Sequence, residues 1–169
     1  MVLVAVMMAQ RLFELVISAR HTARIRRLGA VEYGAAHFPL IVAVHALFPV
    51  ALLAETSRPG VHPGPYWPLW LLLFLVAQVL RVSSMRALGE RWNVRVWVIP
   101  GRPPVRTGVY RRLRHPNYLA VAMEFVAVPL LFGAWRTAIV ISALHAPVLA
   151  LRIRSENDAL QRAAVTSSR

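Results

Sequence analysis

Two stretches carry the side chains that could do chemistry: Arg106 to Glu124, and Arg152-Ile153-Arg154-Ser155-Glu156. The first sets Tyr110, Arg111, Arg112, Arg114, a His115-Pro116 pair, Asn117 and Tyr118 ahead of an apolar run whose one carboxylate is Glu124. Pro116 suits the first position of a helix, where its missing N–H costs nothing, and this makes His115 the N-cap residue. The free N–H groups of that first turn, with the helix dipole, favour an anion, and Arg112 or Arg114 adds charge. Tyr118, also in the first turn, offers a ring face to a cation or a platform for a purine. Asn117 and Glu124 are seven residues apart, so Glu124 lies deeper along the side that Asn117 opens. Arg152 and Glu156, four apart, share a face of the next helix. An amphoteric ligand with a carboxylate, a sulfonium or ammonium cation and a purine matches this set.

The elements that must position these groups are membrane helices. The chain has 169 residues, 57% of them hydrophobic, and a mean hydropathy of +0.52. Its apolar runs are too long and too frequent for an ordinary soluble core, so the expected architecture is an all-α integral membrane protein forming one domain. Five spans are predicted, over Val2–Ala19, Phe38–Ala54, Trp67–Met85, Pro116–Phe132 and Thr137–Leu151. Residues 1–85 supply three N-terminal spans; residues 86–169 supply a connector, a helical hairpin and a C-terminal helix. Only Gly133–Arg136 separates the last two spans, which forces an antiparallel hairpin. The His115–Tyr118 box and the charged turn expected at Arg152–Glu156 then lie at one membrane face.

Arginine placement predicts the orientation. Of the 20 arginines, 16 fall within residues 20–27, 86–114 and 152–169. By the positive-inside rule these segments are cytoplasmic, with the N-terminus outside and the C-terminus inside. Met1–Ser18 has no basic leading region and is interrupted by Arg11 and Glu14, so it reads as a span rather than a cleaved signal. Within the spans, Gln10, Arg11 and Glu14 sit close together on one helix and should face the bundle or the site. Arg81 is expected to snorkel to the cytoplasmic headgroups, Pro49 to kink its helix, and His45 to be a hydrogen-bonded packing residue. Tyr66, Trp67 and Trp70 form an interfacial belt, and the alternation Val94-Arg95-Val96-Trp97-Val98 suggests a short extended segment.

There is no cysteine, so disulfides, thiolate metal sites and a thiol nucleophile are excluded, and nothing else signals a metal. The net charge of +13 is carried wholly by Arg. In a membrane protein it points to anionic lipid rather than nucleic acid, for which no basic-aromatic module is present.

S-adenosylmethionine is an amphoteric ligand of the required kind, although chemistry alone does not select it. The residues Leu88-Gly89 with Trp92, Gly108-Val109-Tyr110, Arg114-His115-Pro116-Asn117-Tyr118, Glu124, and Arg152-Ile153 with Glu156 and Leu160 resemble the isoprenylcysteine carboxyl methyltransferase family. The resemblance is to its short bacterial members. The eukaryotic branch has a second acidic residue where this chain has Asn157 and an aromatic extension where it ends QRAAVTSSR. The resemblance implies an integral membrane enzyme with S-adenosylmethionine bound on the cytoplasmic side by Tyr110, Arg114, His115, Pro116, Asn117, Tyr118 and Glu156. It also implies a lipophilic acceptor entering from the bilayer, a small acid or enolic hydroxyl such as an alkylpyrone. Arg152 would orient the acceptor oxygen for O-methylation, and Glu124 would take a proton from an enolic hydroxyl. Two other readings of the same residues are a membrane reductase of the sterol-reductase type using NADPH and a non-catalytic lipid-binding scaffold. Acceptor identity and oligomeric state are open at this level.

Overall fold

Helices and one short ribbon make up the structure, in the order α1 (Val2–Arg26), β1 (Val31–Tyr33), α2 (Phe38–Thr56), α3 (Trp67–Leu88), β2 (Val96–Val98), α4 (Pro116–Leu131) and α5 (Trp135–Thr166). The computed structural model describes residues Val2–Thr166, with side chains to Ala163. Helices α1, α2, α3 and α5 are each long and apolar enough to cross a bilayer, and α4 is a shorter apolar helix. This is a multi-pass membrane protein. At 16 residues, α4 reaches about 24 Å, short of a hydrocarbon core of roughly 30 Å.

Several expected boundaries move. α5 does not stop at a charged turn; it continues for 32 residues, so Arg152 and Glu156 lie on an unbroken helix. Residues 148–163 contain neither Gly nor Pro, and Ala159 and Ala163 bury against Val96 and Val98 of β2. Likewise α1 runs on through Arg20 and Arg24, and the chain turns at Gly29 with φ +75°. Glu55, one residue past the expected end at Ala54, belongs to α2.

The outer face is apolar, unlike that of a soluble bundle. On α1, Leu12, Phe13, Leu15 and Val16 are exposed while Glu14 and Ser18 are buried. A lipid-facing surface wants apolar side chains, and polar ones must find partners inside. The apolar core joins Val4 and Met7 of α1, Phe48 and Leu52 of α2, Phe74 of α3, Phe125 and Val128 of α4, and Ile141 and Val148 of α5.

The α4–α5 hairpin is set at its turn. Gly133, at φ +79°, takes the left-handed position. Its N–H donates to Leu130 O at 3.1 Å and that of Ala134 to Pro129 O at 2.8 Å, the paired bonds that close a helix C-terminus. Glu55 of α2 then caps α5: its carboxylate accepts from the N–H of Arg136 at 3.1 Å and from the N–H and hydroxyl of Thr137, both at 2.6 Å.

At the opposite, arginine-rich end, β1 and β2 pair antiparallel, with Glu32 opposite Trp97. Asn93, just before β2, straps this segment to α1. Its amide donates to Thr22 Oγ1 at 2.6 Å, and its carbonyl accepts from Ser18 Oγ at 2.8 Å. The extended segment predicted at Val94–Val98 is thus a strand over Val96–Val98, held between α1 and α5.

Candidate active site

The start of α4 and the middle of α5 meet at the arginine-rich end. Pro116 opens α4 with His115 as N-cap, as its lack of an N–H requires. Before it, the turn Gly108–Arg111 lies against α3. Gly108 has φ +55°, and a Cβ there would sit 3.3 Å from that of Ala87, so the lead-in needs glycine at this close approach.

Tyr118 links the two helices. Its hydroxyl donates to Glu156 and accepts from Arg152 Nε at 2.9 Å. Arg152, itself buried, also donates from Nη2 to the Val94 carbonyl at 2.5 Å and lies 5.2 Å from the Tyr118 ring centroid. His115 stacks on Tyr118 with centroids 5.4 Å apart and planes within 9°, its Nδ1 lying 3.8 Å from Glu156. Burial, with the Glu156 carboxylate nearby, pushes the Tyr110 hydroxyl up, so it stays protonated at neutral pH.

Two cavities open from this junction. The smaller, about 160 Å³, is lined by Tyr110, Arg114, His115, Trp97 and Glu156. The larger, about 380 Å³, runs between α1, α2, α4 and α5 and is mostly apolar. Trp92, Asn117, Tyr118 and Arg152 line both. The smaller cavity holds four buried polar atoms with no hydrogen-bond partner among the described residues: Trp92 Nε1, Trp97 Nε1, His115 Nδ1 and Asn117 Oδ1. Orphans of this kind are costly in a finished fold, and a ligand with donors and acceptors of its own would satisfy them. Arg152 has one more nitrogen, Nη1, without a partner among the described residues.

Of the residues singled out in the sequence, Tyr110, Arg114, His115, Asn117, Tyr118, Arg152 and Glu156 all line the smaller cavity. Pro116 is buried and shapes the helix start. Glu124 is not among them. It lies on the larger cavity and is 1% exposed, with both oxygens engaged. Arg81 donates from Nε at 3.0 Å and Nη2 at 2.7 Å, Gln78 donates at 2.6 Å, and Arg11 donates as well. Arg81 does not snorkel to headgroups. It is 1% exposed and also bridges to Glu14 at 3.3 Å, because two buried carboxylates hold its guanidinium more strongly than a distant headgroup could. Arg11 and Glu14 pair at 2.6 Å, and this cluster ties α1 to α3 and α4.

The sequence reading missed Trp92, Trp97 and Asn93 as parts of the site. Trp92 entered only through the family resemblance and Trp97 only through the alternation at Val94–Val98, while Asn93 carried no signal. It missed Gln78 and His145 altogether: Gln78 stands three residues before Arg81 on α3, and His145 is a single imidazole on an apolar helix.

A helical, multi-pass bundle with a polar cavity opening beside a lipophilic one defines the class. The profile of the isoprenylcysteine carboxyl methyltransferase family matches residues 70–162, and the chain belongs to that family. It is similar to the uncharacterized protein YpbQ of Bacillus subtilis, 34% identical over 163 residues, covering 96% of this chain and 97% of that one. It is also similar to an uncharacterized protein of Haemophilus influenzae, 27% identical over 157 residues, 92% of this chain and 91% of that one. No solved structure matches.

Proposed function

We propose that this protein is an S-adenosylmethionine-dependent O-methyltransferase acting on a small lipophilic acid or enolic hydroxyl. One observation carries the reading: the polar and apolar cavities share the wall formed by Trp92, Asn117, Tyr118 and Arg152. A water-soluble donor and a lipid-soluble acceptor need two such rooms with one junction. Enzymes of the family use S-adenosylmethionine, which supplies a methyl group made electrophilic by a sulfonium. The orphaned atoms of Trp92, Trp97, His115 and Asn117 fit its mixed donors and acceptors. Glu156 and the Tyr118 ring suit its cationic groups, and Arg114 with the start of α4 suits its carboxylate.

Arg152 orients the acceptor oxygen with its remaining N–H groups, fixed by Tyr118 and the Val94 carbonyl. An acid or enol that arrives ionised needs no base. With both oxygens of Glu124 engaged, we assign that residue to holding α1 rather than to proton transfer. The acceptor reaches the site from the bilayer through the larger cavity. The arginine-rich end faces the cytoplasm, which puts the N-terminus outside; the absence of native cysteine lets single introduced cysteines report this by impermeant labelling.

The first test is calorimetric binding of S-adenosylmethionine and S-adenosylhomocysteine to protein in lipid nanodiscs. Binding lost in His115→Ala and Glu156→Ala, together with labelled methyl incorporated into a lipid extract, supports the assignment. Folded protein that binds neither ligand, in detergent and in lipid, refutes it.

A further inference from the structure

The larger cavity holds a second polar point, well away from the junction. His45 of α2 and His145 of α5 face each other with ring centroids 6.2 Å apart, and Phe125 of α4 packs edge-on against both, at 5.1 Å and 4.8 Å. Both imidazoles line the cavity. His45 Nδ1 lies 2.8 Å from the Ile41 carbonyl oxygen, which can only accept, so Nδ1 carries the ring proton. In the neutral ring Nε2 is then an acceptor. No carboxylate is within ion-pair distance of His45 among the described residues, and an unpaired imidazolium at this depth would be costly.

Neither His45 Nε2 nor any nitrogen of His145 has a hydrogen-bond partner among the described residues. The walls beside them are apolar: Ile41, Phe48, Val121 and Val148. A ring nitrogen facing a lipophilic cavity loses water without gaining a bond unless the occupant supplies one. An occupant of hydrocarbon alone would leave two such groups unpaired, and an ether or carbonyl oxygen has no proton to give Nε2. A hydroxyl satisfies both rings, donating to His45 and accepting an N–H from His145. Two bonds of roughly 2.8 Å each span about 5 Å between ring nitrogens, which the centroid separation allows.

We infer that His45 is a specificity-determining residue, selecting acceptors that carry a hydroxyl some two helical turns from the oxygen to be methylated. This rests on the methyltransferase reading above. The spacing follows from α5, where Arg152 and His145 are seven residues apart, about 10 Å along the helix. The predicted acceptor class is therefore a lipophilic acid or enol with a hydroxylated body, not a plain alkyl tail. A cation is disfavoured there, since Arg11 and Arg81 already offset Glu14 and Glu124 on the same wall.

The test compares two probes of one shape, 4-octylphenol and its methyl ether, binding to protein in nanodiscs with S-adenosylhomocysteine present. Wild-type protein is expected to bind the phenol about tenfold more tightly than the ether. The preference should fall to within about twofold in His45→Phe, which keeps the ring against Phe125, and survive in Arg152→Ala. Equal binding of the two probes by wild-type protein overturns the inference. So does a preference that persists in both His45→Phe and His45→Leu. Should neither variant fold, Arg152→Ala decides, since a phenol preference lost there belongs to the junction and overturns the inference. Binding of S-adenosylhomocysteine, measured in the same preparation, reports separately on the methyltransferase reading.

Discussion

Replacing Arg81 with methionine removes the cation at the centre of the buried cluster while nearly preserving volume. In the intact protein Arg81 holds Glu124 through two bonds at 3.0 and 2.7 Å and Glu14 through a third at 3.3 Å. The side chains of Arg81 and Glu124 are each 2% exposed, so solvent cannot take over. Arg11 would be left to serve both carboxylates. Breaking a buried pair from one side costs about 3–5 kcal/mol. Helices that unfold within a bilayer keep their polar groups poorly solvated and can find other partners, which moves the expectation to the lower end, about 3 kcal/mol. The double variant Arg81→Met with Glu124→Met removes both charges and should recover at least half of that loss. The assay is reversible unfolding in mixed micelles, with hydrogen exchange on α1, the helix the cluster anchors. A cost below about 1 kcal/mol for Arg81→Met, or exchange on α1 unchanged from wild type, would refute the view that this cluster holds the bundle together.

Three further outcomes are expected. Gly133→Ala should destabilise the α4–α5 turn by about 1–3 kcal/mol, because φ is +79° and a Cβ would lie 2.1 Å from the His62 carbonyl oxygen; thermal unfolding in nanodiscs reads this. Glu55→Ala should cost about 1–2 kcal/mol and speed exchange of the Arg136 and Thr137 amides, whose acceptor it removes. Tyr118→Phe deletes the hydroxyl that joins Arg152 to Glu156. It should lower kcat/KM for methyl transfer by roughly 10- to 100-fold, with Arg152→Lys comparable, since an ammonium cannot hold the Tyr118 and Val94 oxygens in the same fork.

Much of the site was legible in the chain. Pro116 suits the first turn of a helix, because its missing N–H costs nothing there. The spacing of Arg152 and Glu156 puts them on one face of any helix. The short link read at Gly133–Arg136 permits only an antiparallel hairpin, so the two polar groups had to meet. Each of these inferences is local: bond geometry and helical period act over a few residues and do not depend on the rest of the fold.

Contacts between distant parts of the chain had to await the tertiary structure. Arg81 near a helix end reads as a headgroup ligand until Glu14 and Glu124, from two other helices, are found around it. The end of α5 was misread because Arg152–Glu156 looked like a polar terminus, whereas β2 covers the next turns and lets the helix continue. His45 and His145 stand 100 residues apart, each a lone polar group on an apolar run, and only the packing of α2 on α5 brings their rings to one cavity. Local stereochemistry thus sets which residues share a helix face. The identity of the facing helix, and with it the partner of every buried charge, is decided by how the five helices pack.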